Sequence, residues 1–120
     1  MIRERALRTV LVVVGLLFSA GIYLVVRPPF HDETFQMMLS IYITLGVFLL
    51  IAARNPSAHR SLVAFTAWSS FAHAGVMTVQ VARNLIPTGE LLGSSVLVVI
   101  GLALICLLPA RAASGQTATA

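Results

Sequence analysis

A chain of 120 residues in which 58% are hydrophobic and only 10% charged falls outside the range of a soluble domain, where about 25% of residues carry charge. The net charge is +4, but the eight basic residues, all arginines, stand singly or in small groups at the ends of apolar blocks. They form no basic face with interleaved aromatics, which excludes nucleic acid as a partner. The one cysteine, Cys106, lies in the last apolar block, which excludes an intramolecular disulfide, a C-x-x-C redox pair and a cysteine metal site.

The apolar residues come in four near-continuous blocks, each long enough to cross a bilayer. The expected fold is all-α, a transmembrane up-down-up-down four-helix bundle occupying residues 1–110, with helices at about 7–26, 34–53, 61–83 and 91–109. Residues 111–120 are small and polar and are expected to form a disordered tail.

The first block follows Arg3, Glu4, Arg5 and Arg8 and runs uncharged to Val26. A signal peptide opens in the same way, but its apolar core spans about 7–15 residues before an A-x-A-like site. Here the run is longer, and only Ser19-Ala20-Gly21 faintly resembles such a site, so a retained helix is expected. Gly15 and Ser19, four apart, form a small-xxx-small pair suited to close helix contact.

Pro28 and Pro29 stop the first helix, and Asp32 and Glu33 complement the N-terminal dipole of the second. On that second helix Gln36, Ser40 and Thr44 form a short polar ridge, with Tyr42 near mid-depth on another face. The short connection at residues 54–60 predicts antiparallel neighbours.

The third block, residues 61–84, holds the ionisable residue nearest the centre of any span, His73. At 100° per residue Thr66, Ser69, Ser70, His73, Met77, Gln80 and Asn84 fall on one stripe, with Trp68, Phe71, Gly75, Val79 and Ala82 opposite. In hydrocarbon the polar stripe is expected to face protein, here the second helix, and the apolar face to meet lipid. His73, Thr66, Ser69, Ser70, Met77, Gln80 and Tyr42 are therefore the candidates for ligand binding or proton handling. The competing explanation is a histidine hydrogen-bonded between helices as part of a structural seam.

No catalytic residue is expected, because no carboxylate lies within a span and Ser69, Ser70 and His73 lack a third group to orient the imidazole. No metal or other cofactor is expected either, because His31, His59 and His73 are placed at three depths and a metal needs converging ligands. The fourth block is thinned by Gly93, Ser94 and Gly101.

The arginines set the expected orientation. Arg3, Arg5, Arg8, Arg54, Arg60 and Arg111 fall on one side, Arg27 and Arg83 on the other, so the positive-inside rule puts both termini in the cytoplasm of an inner (plasma) membrane protein. Arg3, Arg5, Arg8, Arg54 and Arg60 are the expected contacts to anionic lipid headgroups.

The stretch RNPSAHRSL, the block FTAWSSFAHAGVM and the connection RNLIPTGEL resemble a bacterial domain-of-unknown-function family of small four-helix membrane proteins, itself loosely similar in layout to the DoxX-like proteins. The resemblance covers essentially the whole chain and implies an inner-membrane location. It brings no established activity and no catalytic residue. Small multidrug-resistance proteins are similar in size alone, since they depend on an intramembrane glutamate absent here.

Three functional classes follow. The first is an accessory or self-associating bundle, whose partners are the bilayer and a homo-oligomer or larger membrane protein. The second is a small oligomeric transporter or channel subunit with a polar seam around His73. The third is a membrane enzyme or redox component.

Overall fold

A computed structural model of the chain describes residues 2–26 and 33–109, with residues 24–26 described in backbone alone. Arg27, His31, Asp32, Arg111 and the tail expected to be disordered lie outside the described residues. The chain divides into two compact units, 1–55 and 56–120, and the described residues of each form a helical hairpin without strands.

The first unit holds α1 (Ile2–Ser19), α2 (Gly21–Val26) and α3 (Glu33–Ala52). α1 starts several residues before the expected position, so Arg3, Arg5 and Arg8 ride on its opening turns, where Arg8 pairs with Glu4 at 3.2 Å. Such an i,i+4 pair favours the helical conformation of a segment that is otherwise polar. At Ala20 the ladder tightens: Ala20 N–H still reaches the Leu16 carbonyl, but Tyr23 N–H bonds three residues back to Ala20. The helix is therefore broken at the Ser19-Ala20-Gly21 step, which resembles a cleavage site in sequence.

Leu7, Leu11, Val14 and Phe18 are buried at i, i+4, i+7 and i+11, the stripe of an amphipathic helix laid on a neighbour. Two glycines bring α1 and α3 together. A Cβ on Gly46 would lie 2.7 Å from the Gly15 carbonyl oxygen and 2.7 Å from both the backbone nitrogen and the hydroxyl of Ser19. One on Gly15 would lie 2.9 Å from the Gly46 carbonyl oxygen. The approach is backbone to backbone, so no rotamer change relieves it. Farther along, Phe18 meets Tyr42 edge to face with centroids 4.9 Å apart, and a Cβ on Gly21 would touch Leu39 and Ile43. Partners thus descend along α3 as they ascend along the first segment, so the two run antiparallel.

The second unit opens with a 3-10 turn (Pro56–His59), followed by α4 (Arg60–Ala82), a second 3-10 turn (Thr88–Glu90) and α5 (Leu91–Cys106). Its cross-helix pairs, Met77 with Gly93, Phe71 with Gly101 and Arg60 with Pro109, are all centred near Leu85 and Ile86. That symmetry is the register of an antiparallel hairpin. At the open end Arg60 Nε donates to the Pro109 carbonyl at 2.7 Å, so a cation satisfies an acceptor just past the end of α5. At Gly101 the α4 side contributes a ring: a Cβ there would come within 2.5 Å of Phe71.

Four helical stretches among the described residues, Ile2–Tyr23, Glu33–Ala52, Pro56–Ala82 and Thr88–Cys106, are long and apolar enough to cross a membrane.

The first hairpin yields a paired prediction for unfolding by SDS titration in mild detergent. Gly46→Ala forces the two backbones apart and is expected to cost about 1–3 kcal/mol, the usual range for overpacking. Ser19 Oγ is buried without a hydrogen-bond partner among the described residues, a situation that costs roughly 1–3 kcal/mol. Ser19→Ala is therefore expected to leave stability unchanged or raise it. Loss of stability in Ser19→Ala, or none in Gly46→Ala, would contradict this account of the contact.

Candidate functional site

The polar stripe of the third block lies on α4, and the hairpin divides it into three groups. Thr66 and Ser70 are buried together with Val63, Ala67 and Ala74. Ala74, on the same face, takes a bond from Ser94 of α5. On α5 the small residues Ser94 and Gly101 receive this neighbour, Ser94 through Ala74 and Gly101 through the Phe71 ring. Met77 belongs to the same face, within reach of Gly93.

Each buried hydroxyl here has a nearby carbonyl to donate to. Thr66 Oγ1 donates to the Leu62 carbonyl at 2.8 Å and Ser70 Oγ to that of Thr66 at 2.7 Å. Ser69 Oγ, part-buried, reaches the same Thr66 carbonyl at 3.2 Å. These are bonds within the helix, the usual resort of a hydroxyl in an apolar surrounding. One cluster crosses between helices. Ser94 Oγ donates to the Ala74 carbonyl at 3.1 Å, Thr78 Oγ1 donates to the same oxygen at 2.8 Å, and the two hydroxyls stand 3.3 Å apart.

Ser69, His73 and Gln80 form the second group. They are part-exposed and lie roughly a quarter turn around α4 from the buried face. Tyr42 belongs to the first hairpin, where its ring is held against Phe18. Its neighbours Ser40 and Thr44 are exposed on α3 and bonded to their own helix, Ser40 to the Met37 carbonyl at 2.6 Å and Thr44 to that of Ser40 at 3.0 Å.

Asn84 makes the third group by itself. With φ of 58° it is the one described non-glycine residue with positive φ, and it ends α4. Its N–H bonds to the Val81 carbonyl, and Leu85 N–H bonds back to Gln80. That pair of bonds defines a Schellman cap, whose left-handed position accepts asparagine after glycine. Asn84 is a helix stop here and takes no part in a binding stripe.

Two residues on the expected lipid face have different roles. Trp68 is 64% exposed, in keeping with a lipid-facing or anchoring position, and its ring meets Phe71 at 5.5 Å. Phe71 itself turns toward α5 and fills the space over Gly101. Among the arginines expected at lipid headgroups, Arg3, Arg5, Arg8 and Arg54 are exposed, whereas Arg60 is part-buried on Pro109.

Thr78 is absent from the sequence-derived stripe, and Ser94 was legible only as a small residue that thins its helix. Folding residues 60–109 about the short connection near Ile86 would have placed the two opposite each other. The signal lay in the hairpin register and was invisible to the periodicity of either helix taken singly.

Four apolar helices of spanning length are consistent with a small multi-pass membrane protein. The chain belongs to a family of unknown function, DUF6632, which matches residues 5–119. No match is found among curated proteins or among solved structures.

The inter-helix cluster carries a prediction. Ser94→Ala removes the bond to Ala74 and is expected to lower stability in SDS titration by about 0.6–1.7 kcal/mol, the range seen for hydrogen bonds between membrane helices. A double-mutant cycle with Thr78→Ala should give a non-zero coupling; additive losses would mean that the two hydroxyls act independently.

Proposed function

We propose that this chain is a small inner-membrane protein that works by packing its helices against a larger membrane protein or against copies of itself, as an accessory or self-associating bundle without enzymatic activity. The observation that carries this reading is a polar ridge left uncovered on each hairpin: Ser40 and Thr44 exposed on α3, and Ser69, His73 and Gln80 part-exposed on α4. In hydrocarbon, polar side chains of this kind sit at helix–helix contacts and hold them together. Meanwhile the fully buried hydroxyls of α4 already have backbone acceptors inside their own hairpin, which favours structural duty for that part of the stripe.

The proposal includes the up-down-up-down order of the spans, cytoplasmic termini, a bacterial origin and the loose likeness in layout to the DoxX-like proteins. The support for orientation is the distribution of arginines along the sequence. It is checked by cysteine labelling in a Cys106→Ser background. A membrane-impermeant maleimide should label Gly89→Cys in intact cells and Ser57→Cys only after permeabilisation; the reverse pattern would invert the topology.

Native mass spectrometry of full-length protein released directly from membranes tests the association. The expected result is a stoichiometric complex with a second protein or with further copies, and a lone monomer throughout would overturn the proposal. A second reading, a small oligomeric transporter or channel subunit, is favoured by one feature, the position of His73 between Ser69 and Gln80 on the α4 ridge. It requires His73→Ala to abolish a pH-dependent flux in vesicles while SDS unfolding stays unchanged. A variant that fails to accumulate would mark the histidine as structural.

A further inference from the structure

The far end of α4 carries a groove that α5 does not line and that the polar ridge enters only at Gln80. It is an open hollow of about 610 Å³, within the roughly 300–1,000 Å³ range of sites for small molecules. Its floor is the apolar run Ala72, Gly75, Val76 and Val79, residues that recur on one face of the helix roughly a quarter turn from His73. Gly75 faces the open space of the groove, since a Cβ added there would meet nothing within 4 Å.

Backbone geometry builds the outer end of the groove. Because Asn84 takes up the left-handed cap, the chain reverses and Leu85 becomes a wall of the hollow. Arg83 and Gln80 line the same end. The spanning stretch ends at Ala82, so Arg83 stands at the level where hydrocarbon gives way to headgroups. No acidic side chain among the described residues pairs with Arg83, and Glu90, the nearest acid in sequence, makes no ion pair there either.

We propose that this groove binds one phospholipid of net negative charge, with its phosphate on the Arg83 guanidinium and one acyl chain lying along Gly75, Val76 and Val79. The assignment rests on the membrane reading above. Charge complementarity selects this occupant. An arginine fork matches a phosphodiester in charge and donor geometry, and an apolar trough running inward from it matches a chain. From Ala72 to Arg83 the helix rises about 16 Å, which spans roughly one leaflet of a hydrocarbon core about 30 Å thick. A second copy of the chain fits less well. Two copies inserted with the same orientation and joined about a two-fold axis on this face would bring their Arg83 side chains together at one depth.

The test uses full-length protein in mild detergent, incubated with vesicles of phosphatidylcholine with or without phosphatidylglycerol and examined by native mass spectrometry. Phosphatidylglycerol should be retained in preference to phosphatidylcholine. Retention should be lost in Arg83→Ala and in Gly75→Leu, which fills the hollow without meeting a neighbour in the hairpin. Met37→Ala, at an exposed residue of the first hairpin away from any proposed lipid contact, should retain the lipid, and SDS unfolding should show all three variants folded. Soluble glycerol phosphate should not displace the lipid, since it lacks the chain.

Undiminished retention in Gly75→Leu or Arg83→Ala overturns the site, as does an equal loss in Met37→Ala or displacement by glycerol phosphate. A dimer that Gly75→Leu breaks, with no lipid retained, would assign the groove to a second copy. Recovery of the chain in the soluble fraction of lysed cells would overturn the membrane reading itself, an outcome distinct from every failure of the groove.

Discussion

Close packing against a glycine is the constraint on which both hairpins depend. Between helices in lipid there is little hydrophobic force, because the surrounding chains are as apolar as leucine. What remains is contact, and contact improves steeply as the surfaces close on one another. In the first hairpin Gly15 and Gly46 bring two main chains together, and the second does the same work with a ring, Phe71 set over Gly101. The position of either site sets the register of its hairpin, and the register in turn decides which polar groups meet.

The buried hydroxyl groups of α4 are placed with the same economy. A buried donor without an acceptor is costly in a medium with no water, and Thr66 and Ser70 each find a carbonyl on their own helix. Ser94 reaches across, to the carbonyl of Ala74 that Thr78 also uses. That shared oxygen links α4 to α5 near the connected end of the hairpin, as Arg60 links them at the open end. The polar groups that stay part-exposed or exposed, around His73 on α4 and Ser40 on α3, are the ones a partner would be expected to cover.

The end of α4 shows how a local conformational rule reaches the surface. Asn84 tolerates positive φ where most residues do not, and the reversal it permits carries Leu85 to the edge of the groove beneath Arg83. The same two bonds satisfy carbonyls that the end of a helix would otherwise leave open. The cap therefore terminates the helix and shapes the hollow in one step.

Composition and hydropathy by themselves determined that the chain is helical and that it has four stretches of spanning length, because the length of an apolar run is a local property. They also picked out Gly15 and Ser19 as a contact pair and Trp68 as an outward residue. Only tertiary structure decided which face of α4 met which helix, that Phe71 turned inward, that Thr78 and Ser94 were partners, and that Asn84 was a stop. Periodicity fixes the angle of a residue around its own helix. The neighbour waiting at that angle depends on where two helices come closest, and that point is set by glycines on different segments whose pairing no single helix can reveal.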